Sequence, residues 1–167
     1  FRFDEASRVI YNFVWGSYCD WYLEFLKPIF NSSNKKLKLE ATSFASFMYM
    51  NILKLLHPFI PFFTEHVWQD NKFNKFYNSA LITSNWPKPI KKLKFEKSTS
   101  EIKNLIEIIT AIRSTKVQLN IPPKEYSDII YYNESKKIRN VIDKNLDIMR
   151  QVGRINGIIK NLDSEAN

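Results

Sequence analysis

The chain has 167 residues, 44% of them hydrophobic and 15% aromatic, which is enough to build the core of one domain, or of one domain with a small appendage, and unlike a disordered chain. It carries 25 Lys and Arg against 17 Asp and Glu, and the net charge of +8 suits a nucleic acid or another anionic partner. Three isolated glycines exclude a phosphate-cradling glycine loop, one cysteine excludes a disulfide framework or a multi-cysteine zinc site, His57 and His66 lack metal-ligand spacing, and no apolar run reaches the roughly 18 residues of a membrane span.

The segment Arg2 to Leu26 reads as a first helix. Phe3, Ala6, Val9, Ile10, Phe13 and Val14, then Trp21, Leu23, Phe25 and Leu26, recur mostly at three- and four-residue steps. Asp4 and Glu5 suit its positive N-terminal end, and Pro28 is expected to stop it. Asn31 to Asn34, with Lys35, Lys36 and Lys38, reads as a positive loop. A second helix is predicted from about Thr42 to His57, ended by Pro58. The stretch Phe59 to Trp68 is then a proline-bounded corner entering a short third helix. Residues 71–97 read as an irregular connection with one extended stretch at Leu81-Ile82 and a run of lysines (Lys88, Lys91, Lys92, Lys94, Lys97), ordinarily a solvated linker.

A fourth helix is predicted from a capping box, Ser98 with Glu101 three residues later, to about Asn120, where Pro122-Pro123 follows. Tyr126 to Tyr132 is rich in aromatic and β-branched residues and reads as a strand. Asn133-Glu-Ser135 is a turn capping a fifth helix over about Lys136 to Val152, with Gly153 ending it and Ile155 to Leu162 a second strand. The expected organisation is a helical bundle over 1–121 and a small β-α-β appendage over 122–167. The chain opens on Phe1 rather than Met and carries no signal peptide, and is read as a piece of a longer protein.

The residues offer no catalytic set. Asp20 and Glu24 lie one helical turn apart, but Glu24 has Lys27 as an ordinary surface partner. Cys19 among aromatics reads as a small buried hydrophobe, and His57 before Pro58 as a helix-end cation. The charge carries little information by itself. Only six of the basic residues are Arg, and 16 Asn and 20 Ile accompany the lysines, a bias that an AT-rich coding sequence also produces.

The fourth helix is more specific. With Ile109 as origin, Ile102, Leu105, Ile106 and Ile112 fall within roughly 60° at about 100° per residue, and the same face continues into Arg113 and Lys116. One reading is that both snorkel, with stems on the core and charges in water. The other is that the helix projects beyond the core and offers a cationic face to a polyanion. Gln118 lies on the opposite side, and Ile121 follows three residues later. An exposed amide beside an apolar side chain suits the edge and face of an unstacked RNA base, and the proline pair stiffens that surface.

Four stretches carry a resemblance. They are Phe13-Val-Trp-Gly-Ser-Tyr-Cys-Asp-Trp-Tyr-Leu-Glu24 with Lys27-Pro28; Leu55-Leu-His-Pro-Phe-Ile-Pro-Phe-Phe-Thr-Glu65 with Trp68; Asn85-Trp-Pro87; and Thr110-Ala-Ile-Arg-Ser-Thr-Lys-Val-Gln-Leu-Asn-Ile-Pro-Pro-Lys124. In this order and spacing they resemble the anticodon-binding domain of valyl-tRNA synthetases. The resemblance implies a mainly α fold, a helical bundle of the class I aminoacyl-tRNA synthetase anticodon-binding type. It implies a parent enzyme that joins valine to tRNA(Val) with ATP and Mg2+ in the cytoplasm, on catalytic and editing domains elsewhere in the same chain. The two ATP-site signatures of class I enzymes are absent here, so this segment is expected to need no cofactor, to contact no membrane and to dock the anticodon stem-loop. In the family, a Glu and an apolar residue before the proline pair touch anticodon bases. Those positions match Gln118 and Ile121, and the Gln departs from the acidic residue by adding a donor. Arg113, Lys116 and Lys124 are the expected RNA contacts around them. The equivalent domain of the isoleucine or leucine enzymes, which share the Leu-His-Pro-x-x-Pro-Phe corner, and a helical protein-interaction module are the alternatives.

Overall fold

A computed structural model describes residues 2–131 and 135–160, which fall into two compact units divided between Lys92 and Leu93. The architecture is helical, with one two-stranded sheet near the end of the chain. The boundary that the sequence places after residue 121 falls inside the second unit, because the fourth predicted helix packs with the helices that follow it.

The first unit begins with α1 (Phe3–Phe13), a wider π-helical stretch (Val14–Tyr22) and α2 (Leu23–Asn31), which follow one another without a break. Pro28 does not end this helix. A proline in a helix interior costs about 3 kcal/mol, but burial of a leucine recovers about 1.5–3 kcal/mol, and Leu26 is buried in this turn. The stop comes four residues later, where Ser32 turns extended and its Oγ donates to the Ile29 carbonyl at 2.7 Å. The predicted positive loop is also shorter than expected. Asn34 caps α3 (Lys35–Leu56), its Oδ1 accepting from the Leu37 amide at 3.0 Å, so the lysines lie in the first turn of a helix that begins seven residues before Thr42. Asn is a strong N-cap and Lys, Leu and Glu are good helix formers, a signal that outweighs the polar look of the stretch.

Pro61 starts α4 (Pro61–Asp70) at the first helical position, where its missing N–H is harmless. Residues 71–97 are more ordered than expected: α5 (Phe73–Tyr77) follows α4, and Leu81–Thr83 is a 3₁₀ turn rather than an extended stretch. Its amides at Leu81 and Ile82 donate to the two Glu65 carboxylate oxygens at 3.3 Å each, which seats Leu81 in the core beside Leu53 and Trp68. Trp68 is 0% exposed and donates from Nε1 to the Ser79 carbonyl at 3.1 Å. Cys19 is half-buried rather than buried. An apolar groove of about 550 Å³ lies open between Tyr11, Val14 and Trp15 on one side and Leu56, Phe59 and Ile60 on the other.

The second unit holds α6 (Glu96–Gln118), β1 (Ser127–Tyr131), α7 (Lys136–Lys144), α8 (Leu146–Gly153) and β2 (Ile155–Lys160). The capping box does not form. The helix starts two residues earlier at Glu96, whose charge suits the dipole, so Ser98 lies inside the first turn and no side chain caps it. β1 and β2 run parallel, pairing Ser127 with Ile155 and Ile129 with Ile158, with one irregularity between. Parallel pairing requires a crossover, and α7 and α8 supply it. These are two helices, not one. At Asn145 the backbone leaves the helical region (φ −121°, ψ 22°), and its side-chain amide donates to the Val141 carbonyl at 2.8 Å. The predicted turn at Asn133-Glu134 and the end of the predicted strand at Asn161-Leu162 lie outside the described residues. Leu105, Ile109 and Ile112 of α6 meet Val141, Ile142, Met149, Val152 and Ile155 in the core; Ile102 stays exposed.

Candidate nucleic-acid interface

The end of α6 is closed by its own backbone. Asn120 adopts the left-handed conformation (φ 54°), a role for which Asn is second only to Gly. The Ile121 amide then donates to the Lys116 carbonyl at 2.9 Å, and the Asn120 amide to the Val117 carbonyl at 3.1 Å. These two bonds form a Schellman motif, which fixes Ile121 relative to the last helical turn. Pro122 and Pro123 follow, and the Glu125 amide donates back to the Pro122 carbonyl at 2.9 Å. The chain therefore leaves α6 through a short, tightly bonded loop.

The five residues expected to meet RNA do not share one environment. Gln118 and Lys124 are exposed, and Ile121 is half-buried, so an amide, an apolar edge and a cation stand at the helix end. Ile121, Pro123 and Val117 give apolar lining to a groove of about 270 Å³ that Arg113 and Arg154 also line. Arg113 is exposed, but its Nη2 donates to the Val152 carbonyl at 3.0 Å, in the last turn of α8. A cation there complements the negative end of the helix dipole.

Lys116 is not the exposed cation that either reading of the stripe pictured. It is 6% exposed, and its Nζ donates to the Glu125 carbonyl at 2.8 Å and the Arg154 carbonyl at 2.6 Å. Burial pushes its amine below the ordinary lysine value; the Glu125 carboxylate opposes that shift and the Arg154 charge adds to it. The cationic end of the α6 stripe is therefore not a bare face for a polyanion. The helix does not outrun its core: α8 and the start of β2 cover it, and the side chains that turn cationic meet backbone carbonyls there. The same contacts explain why Gly153 is not the left-handed residue after α8. That conformation falls on Arg154 (φ 52°), whose carbonyl is held by Lys116 Nζ and by the Ser127 amide at 3.3 Å.

Sequence reasoning missed Val117 and Leu119, which are 68% and 64% exposed on either side of Gln118. Their signal is legible afterwards: both are apolar and both lie off the core stripe of α6. Together with Gln118 and Ile121 they make the helix end a surface able to pack against a base and hydrogen-bond its edge. Elsewhere the candidate chemistry is ordinary. Glu24 pairs with Lys27, and His66 faces Asp70 at 3.2 Å on the surface. The His57 Nδ1 meets the Thr64 hydroxyl at 2.8 Å. Among the described residues no group of three or more His, Cys, Asp and Glu stands ready for a metal, and no helix is long and apolar enough to cross a membrane.

Comparison with known proteins gives the family of the chain. Residues 1–131 match the family described as the anticodon-binding domain of tRNA ligase. A valine--tRNA ligase of Pelagibacter ubique is 40% identical over 166 residues, covering 98% of this chain and 18% of the relative. The enzyme of the same name from Agrobacterium fabrum is 33% identical over 95% of this chain and 17% of its own length. That from Staphylococcus aureus is 33% identical over 89% of this chain, again 17% of its own length. The chain thus spans less than a fifth of these relatives, and it belongs to the anticodon-binding domain family of tRNA ligases.

Proposed function

We propose that this chain docks the anticodon stem-loop of tRNA(Val) as one segment of a cytoplasmic valine--tRNA ligase. The observation that carries the reading is the exposed end of α6, where Gln118, Ile121 and Lys124 stand in the stretch that resembles the family's base-contacting motif. Gln118 presents an amide to a base edge, Ile121 with Val117 and Leu119 gives apolar surface for a base face, and Lys124 meets phosphate. Arg113 stands on the rim of the same groove. Joining valine to the tRNA, with ATP and Mg2+, belongs to the catalytic domain of the parent, and correction to its editing domain. In this segment the three glycines stand apart and none has positive φ, and among the described residues no group of three or more His, Cys, Asp and Glu is gathered. The open apolar groove beside Tyr11 and Trp15 suits packing against another part of that parent chain.

The test uses the full-length enzyme. Gln118→Ala should cut the preference for the cognate tRNA over an anticodon-swapped one by roughly 5- to 13-fold, the worth of one hydrogen bond of about 1–1.5 kcal/mol. Lys124→Ala should weaken binding to both tRNAs alike and reduce the log–log salt slope by roughly 0.7–0.9. Equal binding of the two tRNAs by the unaltered enzyme overturns the assignment. Binding that persists undiminished at about 0.5 M salt points instead to a protein-docking module.

A further inference from the structure

Lys116 is tied to both ends of the loop that follows it. Its backbone carbonyl accepts from the Ile121 amide at 2.9 Å, near the loop's start, and its ammonium donates to the Glu125 carbonyl at 2.8 Å, at the loop's end. The same ammonium reaches the Arg154 carbonyl at 2.6 Å, so the loop is pinned to the first residue before β2. The Ser127 amide shares that carbonyl at 3.3 Å, which ties the start of β1 to the same point. Between the two attachments lie Ile121 and Lys124, with Gln118 one turn before. With the residue 6% exposed and two of the three ammonium N–H groups on backbone carbonyls, Lys116 presents little of its charge to a phosphate.

From this geometry we infer that Lys116 is a positioning residue for anticodon recognition: it fixes the loop that sets Ile121 and Lys124 beside Gln118, and it never touches RNA itself. The inference rests on the reading of the α6 end as the anticodon surface. It separates two effects that a cation in an RNA-binding motif ordinarily combines. A phosphate ligand contributes to affinity for every tRNA and to its salt dependence, with no say in sequence. A loop clamp contributes to discrimination, because misplacement of the reading groups affects cognate and non-cognate RNA unequally, and leaves the salt slope alone.

The experiment compares Lys116→Met, Lys124→Met and Gln118→Ala in the full-length enzyme, and maps lysine acetylation of the unaltered enzyme with and without tRNA. Lys116→Met should lose about tenfold in discrimination between cognate and anticodon-swapped tRNA with no change in salt slope. Lys124→Met should lower the slope by roughly 0.7–0.9 and keep the discrimination. In the unaltered enzyme Lys116 should acetylate slowly whether or not tRNA is bound, while Lys124 should react quickly when free and slowly when bound. This last measurement holds even if Lys116→Met does not fold. Fast acetylation of Lys116 that tRNA suppresses, or a Lys116→Met enzyme with a reduced slope and intact discrimination, overturns the inference. If Gln118→Ala removes discrimination and a folded Lys116→Met does not, the clamp fails while the anticodon surface stands. If Gln118→Ala changes nothing, the anticodon surface fails and the clamp falls with it.

Discussion

Residues 2–92 and 93–160 each bury one face of a long helix, but they bury different polar groups. In the first unit these are aromatic or neutral: the Trp68 indole on the Ser79 carbonyl, the Tyr18 hydroxyl on the Ala45 carbonyl, the Thr64 hydroxyl against His57. In the second unit it is a cation, Lys116, on two carbonyls of the loop and the α8–β2 junction. All four tryptophans, Trp15, Trp21, Trp68 and Trp86, belong to the first unit. The difference teaches that a basic residue on a core stripe is not evidence of a surface. A buried ammonium needs acceptors, and the carbonyls at the end of a helix are the nearest supply.

The largest way to break the comparison is Trp68→Ala. Loss of a fully buried indole should cost about 3–5 kcal/mol, and amide exchange in the full-length chain should quicken across α3 and α4 and leave α6 and α8 protected. Lys116→Ala should act in reverse, removing two charge-assisted bonds and leaving the Glu125 carbonyl without that donor. A cost of about 1–3 kcal/mol, confined to exchange in residues 93–160, is the expected result. Asn34→Ala removes the cap of α3 and should cost about 1 kcal/mol in the first unit.

Alkaline pH sharpens the contrast without any substitution. Burial raises Tyr18, Tyr22 and Tyr49, and for Tyr18 the neighbouring Tyr22, Cys19 and Tyr49 add to it. Above the ordinary tyrosine value of 10.0 the folded first unit then holds more protons than its unfolded chain, so its stability falls as pH rises. Lys116 is shifted the other way. Just below the ordinary lysine value of 10.5 the unfolded chain holds the extra proton, so this residue's contribution to the second unit rises with pH. Tryptophan fluorescence reports the first unit alone, and amide exchange in 93–160 the second; slopes of the same sign would contradict the assignment. The smallest effect is expected at Ser98→Ala, within about 0.5 kcal/mol, because Ser98 lies inside α6 and caps nothing. A loss near 1 kcal/mol in a melt would restore the capping box.

Much of this was legible in the sequence where one signal acted alone. The proline-bounded corner entering a short helix, the Leu105–Ile109–Ile112 stripe and the β-α-β order near the end of the chain all follow from spacing and residue type. Failures came where two signals competed. Pro28 lost to the burial of Leu26, the lysines at 35–38 to the Asn34 cap, and the Ser98–Glu101 box to an earlier start at Glu96. Asn145 interrupts an apolar period that runs unbroken through it. At the site, Gln118 was readable as exposed because it lies off the stripe. Lys116 was not, because its partners are carbonyls 9 and 38 residues away, and backbone acceptors leave no mark in a sequence.

The most direct measurement is amide exchange of the full-length enzyme with cognate tRNA, with anticodon-swapped tRNA and with neither. The account predicts that cognate tRNA slows exchange at residues 117–125 more than the swapped tRNA does. Identical exchange at 117–125 under all three conditions, with any protection confined to residues 2–92, would contradict it.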